Sequence, residues 1–166
     1  VYKRQHHEVV VTEEEMLNYL QSVTVQIESP DVTTNRASCF MMKLSEYIRD
    51  NTDVIVVYSG EGSDELFGSY LYFHNAPSDS EFHQETLRLI NDLQYFDVLR
   101  GDKSSAVAGL EIRTPFLDID FVNYVATIPP DFKLFQNIEK YVLRKALTEF
   151  LPVSYTHLTL PTIRSV

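Results

Sequence analysis

The segment that most restricts the fold runs from Val54 to Glu65. Val54-Ile55-Val56-Val57-Tyr58 is a short, unbroken apolar stretch rich in β-branched residues, and Ser59-Gly60-Glu61-Gly62-Ser63-Asp64-Glu65 follows it directly. A run without polar alternation suits a parallel strand buried on both faces. The residues before it carry helical spacing: Ala37, Phe40, Met41, Leu44, Tyr47 and Ile48 recur at i, i+3/i+4 and i+7. Helix, buried strand and glycine-rich turn in that order are the grammar of an α/β domain. Ligands of such sheets bind beyond the carboxyl ends of the strands, where this turn lies.

The turn carries chemistry. Ser59 offers a hydroxyl, Gly60 and Gly62 allow close backbone approach, and Glu61, Asp64 and Glu65 supply three carboxylates. Backbone N–H groups could meet a phosphate while a carboxylate binds a cation or takes a proton. An ordinary strand-to-helix turn has a similar composition, so local residues alone leave both readings open. The dinucleotide fingerprint lacks its third glycine, and Gly-Lys-Ser/Thr does not occur.

Elsewhere helices dominate. Thr12-Glu13-Glu14-Glu15 starts one that the spacing carries to about Ser22, and a second runs from Thr33 or Thr34 to Asn51. A broad apolar face predicts a helix over 81–100, followed by a shorter one over 103–109. Pro115-Phe116-Leu117-Asp118 reads as a turn capping a helix over 119–128 that Pro129-Pro130 stops. A last helix is expected over 138–150. Only one strand is legible, so most of any sheet lies outside the chain.

At 166 residues the chain can bury roughly 70% of its unfolded surface, enough for one domain or most of one. Its formal charge of −10 opposes nucleic acid and anionic membranes as partners. It does not oppose ATP, whose phosphates magnesium and backbone N–H groups screen. No apolar run reaches the ~20 residues of a membrane span, and no secretory pattern opens the chain, which reads as soluble and cytoplasmic. Cys39 stands alone, among Ala37, Phe40, Met41 and Met42, and reads as buried. His6, His7, His74, His83 and His157 show no metal-ligand spacing. Tyr70, Tyr72 and Phe73 read as core rather than as a stacking surface for a nucleotide.

The segment from Ser59 to Pro77, Ser-Gly-Glu-Gly-Ser-Asp-Glu-Leu-Phe-Gly-Ser-Tyr-Leu-Tyr-Phe-His-Asn-Ala-Pro, resembles the signature of the asparagine synthetase family. Further matching segments keep the family order: Thr33-Thr34-x-Arg36-Ala37-Ser38, Phe96 to Arg100, Gly109 to Asp118, and Ile138-Glu139-Lys140-x-x-Leu143-Arg144. The resemblance covers about His6 to Pro152. It implies an α/β fold, part of an adenine-nucleotide alpha-hydrolase-like (ATP pyrophosphatase) parallel-sheet domain followed by mainly helical segments. On that basis residues 6–153 form a partial synthetase domain, while 1–5 and 154–166 read as non-native segments.

The resemblance also implies a reaction: ATP-driven adenylation of aspartate to β-aspartyl-AMP, then attack by ammonia released from glutamine at a separate site. Ser59 and Gly60 would contact ATP, Glu61 would take a proton from ammonia, and Asp64 would lie near Mg2+ and pyrophosphate. Asp97 and Arg113 would belong to the aspartate side, or to structural ion pairs. Glu111 with Arg113, and Glu139 with Lys140 and Arg144, equally suit salt bridges between helices, and Lys140 reads as structural. A homodimer is implied for the full-length enzyme.

The family's Ser-Gly-Gly-x-Asp-Ser pyrophosphatase loop does not occur here, nor do its glutaminase domain and downstream lysine segment. Ser69 replaces a common Gly, and Thr114 a common Val. The 166 residues alone are therefore expected to be inactive. Two other readings share the motifs: a β-lactam-synthetase-like carboxylate adenylase, and a catalytically silent association domain.

Overall fold

A computed structural model describes residues 6–150. In chain order its elements are α1 (Glu13–Ile27), α2 (Val32–Asn51), β1 (Val56–Tyr58), α3 (Ser63–Phe67), α4 (Asp79–Asp92), α5 (Asp97–Ala106), β2 (Glu111–Arg113), α6 (Ile119–Ala126), α7 (Pro130–Lys133), β3 (Leu134–Phe135), β4 (Ile138–Glu139) and α8 (Tyr141–Ala146). Short 3-10 turns occupy Leu71–Asn75, Leu93–Tyr95 and Pro115–Leu117. The chain is mixed α/β, mostly helical, with a small parallel sheet. The described residues fall into two compact units, 6–60 with 92–115, and 61–91 with 116–150. None of their helices is long and apolar enough to cross a membrane.

In the first unit α1 begins as its sequence predicts. The Thr12 hydroxyl accepts the Glu15 N–H at 3.2 Å, and Glu15 Oε2 accepts the Thr12 N–H at 2.7 Å, satisfying two donors that a helix start leaves bare. The helix runs five residues past Ser22, because Val23 and Ile27 continue its buried stripe. It stops at Glu28, which is left-handed (φ 56°) and ion-paired to Lys103. Asp31 caps α2 by accepting the Thr34 N–H at 2.6 Å. Val23, Ile27, Cys39 and Met42 form the core between α1 and α2, with Met16, Tyr19 and Val107 against it. Cys39 is buried as expected.

The expected helix over 81–100 is broken. Phe96 adopts φ −125°, ψ −91°, outside the helical region, so α4 ends at Asp92 and a separate helix starts at Asp97. α5 packs on β2 through its small residue Gly101, where an added Cβ would lie 3.4 Å from Ile112 Cδ1 and 3.8 Å from Met41 Cε. β1 is shorter than the apolar run and pairs in parallel with β2, Val57 opposite Ile112. That second strand has only one apolar residue between two charges, which hid it.

In the second unit the two glycines bounding α3 are both left-handed, Gly62 at φ 87° and Gly68 at φ 60°. Leu66, Phe67 and Val125 make its core, packed by Ile90, Phe116, Phe121, Ile128 and Leu143. Phe67 meets Phe116 edge-on at 89°, with centroids 6.5 Å apart. Asp118 caps α6 by accepting the N–H groups of Asp120 and Phe121, both at 3.1 Å. α6 ends at Ala126, ahead of Pro129-Pro130, and Pro130 in turn opens a short helix, α7, at the position where a missing N–H costs nothing.

The expected helix over 138–150 is also corrected. Gln136 and Asn137 both take positive φ, 50° and 63°, the geometry of a two-residue hairpin turn, so Ile138–Glu139 pairs with Leu134–Phe135 as a strand. α8 is left with Tyr141–Ala146. Of the aromatic trio only Phe73 is core; Tyr70 and Tyr72 are exposed and stack on each other at 6.0 Å.

Candidate functional site

The chain passes from the first unit to the second between Gly60 and Glu61, inside the turn that follows β1. In the first unit Ser59 continues the parallel ladder, its N–H donating to the Arg113 carbonyl at 2.9 Å. Gly60 is exposed, and nothing stands within 4 Å of a Cβ added there. Packing among the described residues therefore does not demand a glycine at that position.

Asp97 and Arg113 lie in the same unit but in separate pairs. Asp97 opens α5 and binds Arg100 at 2.6 Å, one helical turn on. Arg113 ends β2, pairs with Glu111 at 2.8 Å, and is more than half exposed. The expected ion pair of Glu111 and Arg113 exists, but along a strand rather than between helices.

In the second unit Gly62 precedes α3, and its conformation is set by contact. A Cβ there would stand 2.2 Å from Leu117 Cδ2, so the turn closes against the 3-10 segment that leads into α6. The turn then separates its carboxylates. Glu65 is buried and accepts the Tyr70 hydroxyl. Asp64 remains about half exposed, and Glu61 is half-buried.

Asp64 has a partner that the sequence did not indicate. Lys140 Nζ stands 2.9 Å from Asp64 Oδ1 and donates to Ser63 Oγ at 3.0 Å. Lys140 itself is left-handed, at φ 54°, a conformation that is uncommon for a residue with a Cβ and collects at functional sites. The hairpin of β3 and β4 delivers it. Arg144 braces the same corner by donating to the Glu139 carbonyl at 2.8 Å. The expected link of Glu139 to Lys140 is thus replaced by one between Lys140 and the turn.

Whether magnesium fits can be judged from the donor set. No cluster of three or more His, Cys, Asp or Glu suitable for a metal exists among the described residues. Magnesium bound with substrate phosphates needs only one or two protein carboxylates and keeps several waters. Lys140 holds one oxygen of Asp64, and the residue's exposure leaves room at the other. The carboxylate thus suits a shared, phosphate-linked ion and not a protein cage.

Comparison with known proteins agrees with the motifs. The family model described as Asparagine synthase matches residues 1–80 and 75–158. Asparagine synthetase [glutamine-hydrolyzing] of Bos taurus is 47% identical over 146 residues, 87% of this chain and 26% of the relative. The proteins of the same name from Gallus gallus and Homo sapiens are each 46% identical over the same shares. The chain thus spans about a quarter of the length of the curated relatives it matches. The sequence from Ser59 to Pro77, the parallel strand that presents it and the match along most of the chain make this protein a member of the asparagine synthase family.

Proposed function

We propose that this chain is part of an ATP-dependent ligase that amidates aspartate to asparagine, and that its sheet belongs to an adenine-nucleotide alpha-hydrolase-like domain. The observation that carries the reading is the segment Ser59 to Glu65 at the carboxyl end of a parallel strand. In the proposed reaction the aspartate side-chain carboxylate attacks the α-phosphorus of ATP and pyrophosphate leaves. Ammonia from glutamine then attacks the acyl carbon, and AMP departs with the former carboxylate oxygen.

Ser59 and Gly60 contact the nucleotide in this scheme, the open surroundings of Gly60 permitting close approach of its backbone. Glu61 takes a proton from the attacking ammonia. Asp64 would hold magnesium on the pyrophosphate side, where the ion would supply neutralisation of phosphate charge. Lys140 steadies Asp64 and adds a positive charge beside it. Asp97 and Arg113 serve the aspartate side. The setting is a cytoplasmic, homodimeric enzyme with small-molecule substrates.

The test is aspartate-dependent ATP–pyrophosphate exchange by the protein expressed from its complete gene. Exchange that ignores aspartate would overturn the reading. Glu61→Gln should abolish asparagine formation while sparing glutamine hydrolysis; retained synthesis would remove Glu61 from its role.

A further inference from the structure

The β3–β4 hairpin carries Lys140 to the turn, yet little within the hairpin explains how it keeps its shape. Each strand has two residues, and so small a hairpin is marginal by itself. Gln136 (φ 50°), Asn137 (φ 63°) and Lys140 (φ 54°) are all left-handed, a conformation that a Cβ disfavours. Asn tolerates it better than most side chains; Gln and Lys have no such allowance. α8 supplies some support. The Tyr141 ring lies 4.7 Å from that of Phe135, and Arg144 holds the Glu139 carbonyl.

The segment 61–75 grips the hairpin at both ends. At the base Lys140 Nζ meets Asp64 and Ser63. At the tip His74 Nδ1 stands 3.3 Å from Asn137 Oδ1. With a carboxamide oxygen as acceptor, Nδ1 carries the proton and donates. The His74 ring has a firm base, because it belongs to the 3-10 turn Leu71–Asn75, whose buried Phe73 packs on Phe82 with centroids 4.7 Å apart. Asn137 is joined to Lys140 through the two residues of β4, so a tip that shifts takes the ammonium with it.

We propose that His74 is a positioning residue: by holding Asn137 it sets the hairpin so that the Lys140 ammonium stands beside Asp64. His74 matters in this way only under the reading of Asp64 and Lys140 given above, in which both serve the pyrophosphate side. Its action runs through Lys140 and not through contact with the reacting groups. A charge displaced by about an ångström is enough to slow a reaction that depends on positioning.

Aspartate-dependent pyrophosphate release by the protein from its complete gene tests the role of His74. His74→Asn keeps an amide nitrogen where Nδ1 stands, whereas His74→Gln places one near Nε2, so the pair separates the bond to Asn137 from bulk and polarity. His74→Gln and His74→Ala should slow release by roughly three- to tenfold, the range of one hydrogen bond, while His74→Asn stays within about twofold of the parent. In a Lys140→Met background His74→Gln should slow release no further, because the charge it positions is gone. A loss that persists undiminished in that background overturns the proposal, since His74 then acts elsewhere. Release by His74→Gln equal to the parent's, or by His74→Asn as slow as that of His74→Gln, overturns it as well. A parent that releases no pyrophosphate in response to aspartate gives a different result, which removes the underlying reading and the role of His74 with it.

Discussion

Lys133 offers the sharpest test of the second unit's energetics. It ends α7, it is 1% exposed, and no described carboxylate lies within ion-pair distance. Burial alone brings its amine down from the usual 10.5 to about 8. At about 1.36 kcal/mol per pK unit, that depression means the folded state carries roughly 3 kcal/mol of desolvation cost wherever the amine is charged in both states. A folded pKa below the unfolded one means that the unfolded chain binds more protons between about 8 and 10.5. Stability therefore rises with pH across that window.

Lys133→Met replaces the ammonium with an apolar chain of similar length. The variant should be more stable than the parent by up to about 3 kcal/mol at pH 7, and the gap should narrow by about 2 kcal/mol at pH 9.5. The readout is the difference between the two proteins in urea unfolding at each pH. Cys39 makes that difference necessary. Burial raises its thiol, so it contributes stability that is lost as pH climbs through the unfolded thiol's range, and this opposite trend is common to both proteins. A gap that does not change between pH 7 and 9.5 refutes the reasoning, as does a variant less stable than its parent at pH 7.

Gly62→Ala should cost about 3 kcal/mol in urea unfolding, from roughly 1–2 for the left-handed backbone and about 1–3 for crowding Leu117. Asp118→Ala should cost about 1 kcal/mol by removing the cap of α6, and Asp118→Asn should recover most of it. In the protein from the complete gene, Asp64→Asn should raise the magnesium concentration for half-maximal pyrophosphate release at least about tenfold, while an unchanged requirement removes Asp64 from the metal.

Local signals made much of the helical frame legible. The capping box at Thr12, the cap at Asp118 and the periodic apolar positions of α2 act within a few residues and stand where the sequence placed them, while α2 starts one or two residues earlier than expected because Asp31 caps it. What the sequence concealed depends on partners distant along the chain or on backbone angles without a residue signature. β2 exists because Glu111-Ile112-Arg113 lies beside β1, and its own composition argues against a strand. The break at Phe96 leaves the apolar spacing of residues 81–100 intact while redirecting the chain. In Phe132-Lys133 the expected order is inverted, with the aromatic 55% exposed and the lysine buried, and no local rule predicts that.

The turn after β1 shows how structure divides what composition treats alike. Glu61, Asp64 and Glu65 are three carboxylates in five positions, and nothing in their spacing ranks them. Once Gly62 starts α3, residues 64 and 65 must face about 100° apart around a helix with 3.6 residues per turn. Glu65 turns inward, buried, and its carboxyl oxygen accepts the Tyr70 hydroxyl, which commits it to holding the chain. Asp64 turns outward, where a lysine far along the chain meets it. Lys140 looked structural in sequence because its neighbour Glu139 supplied a ready ion-pair partner for it and for Arg144. The β3–β4 hairpin removes that explanation by carrying Lys140 to Ser63 and Asp64 in a left-handed conformation, which ties the candidate metal-side carboxylate to a positive charge. Replacing Lys140 by Met should therefore weaken pyrophosphate release by the protein from the complete gene while leaving the fold intact. Unchanged release would return Lys140 to a purely structural role.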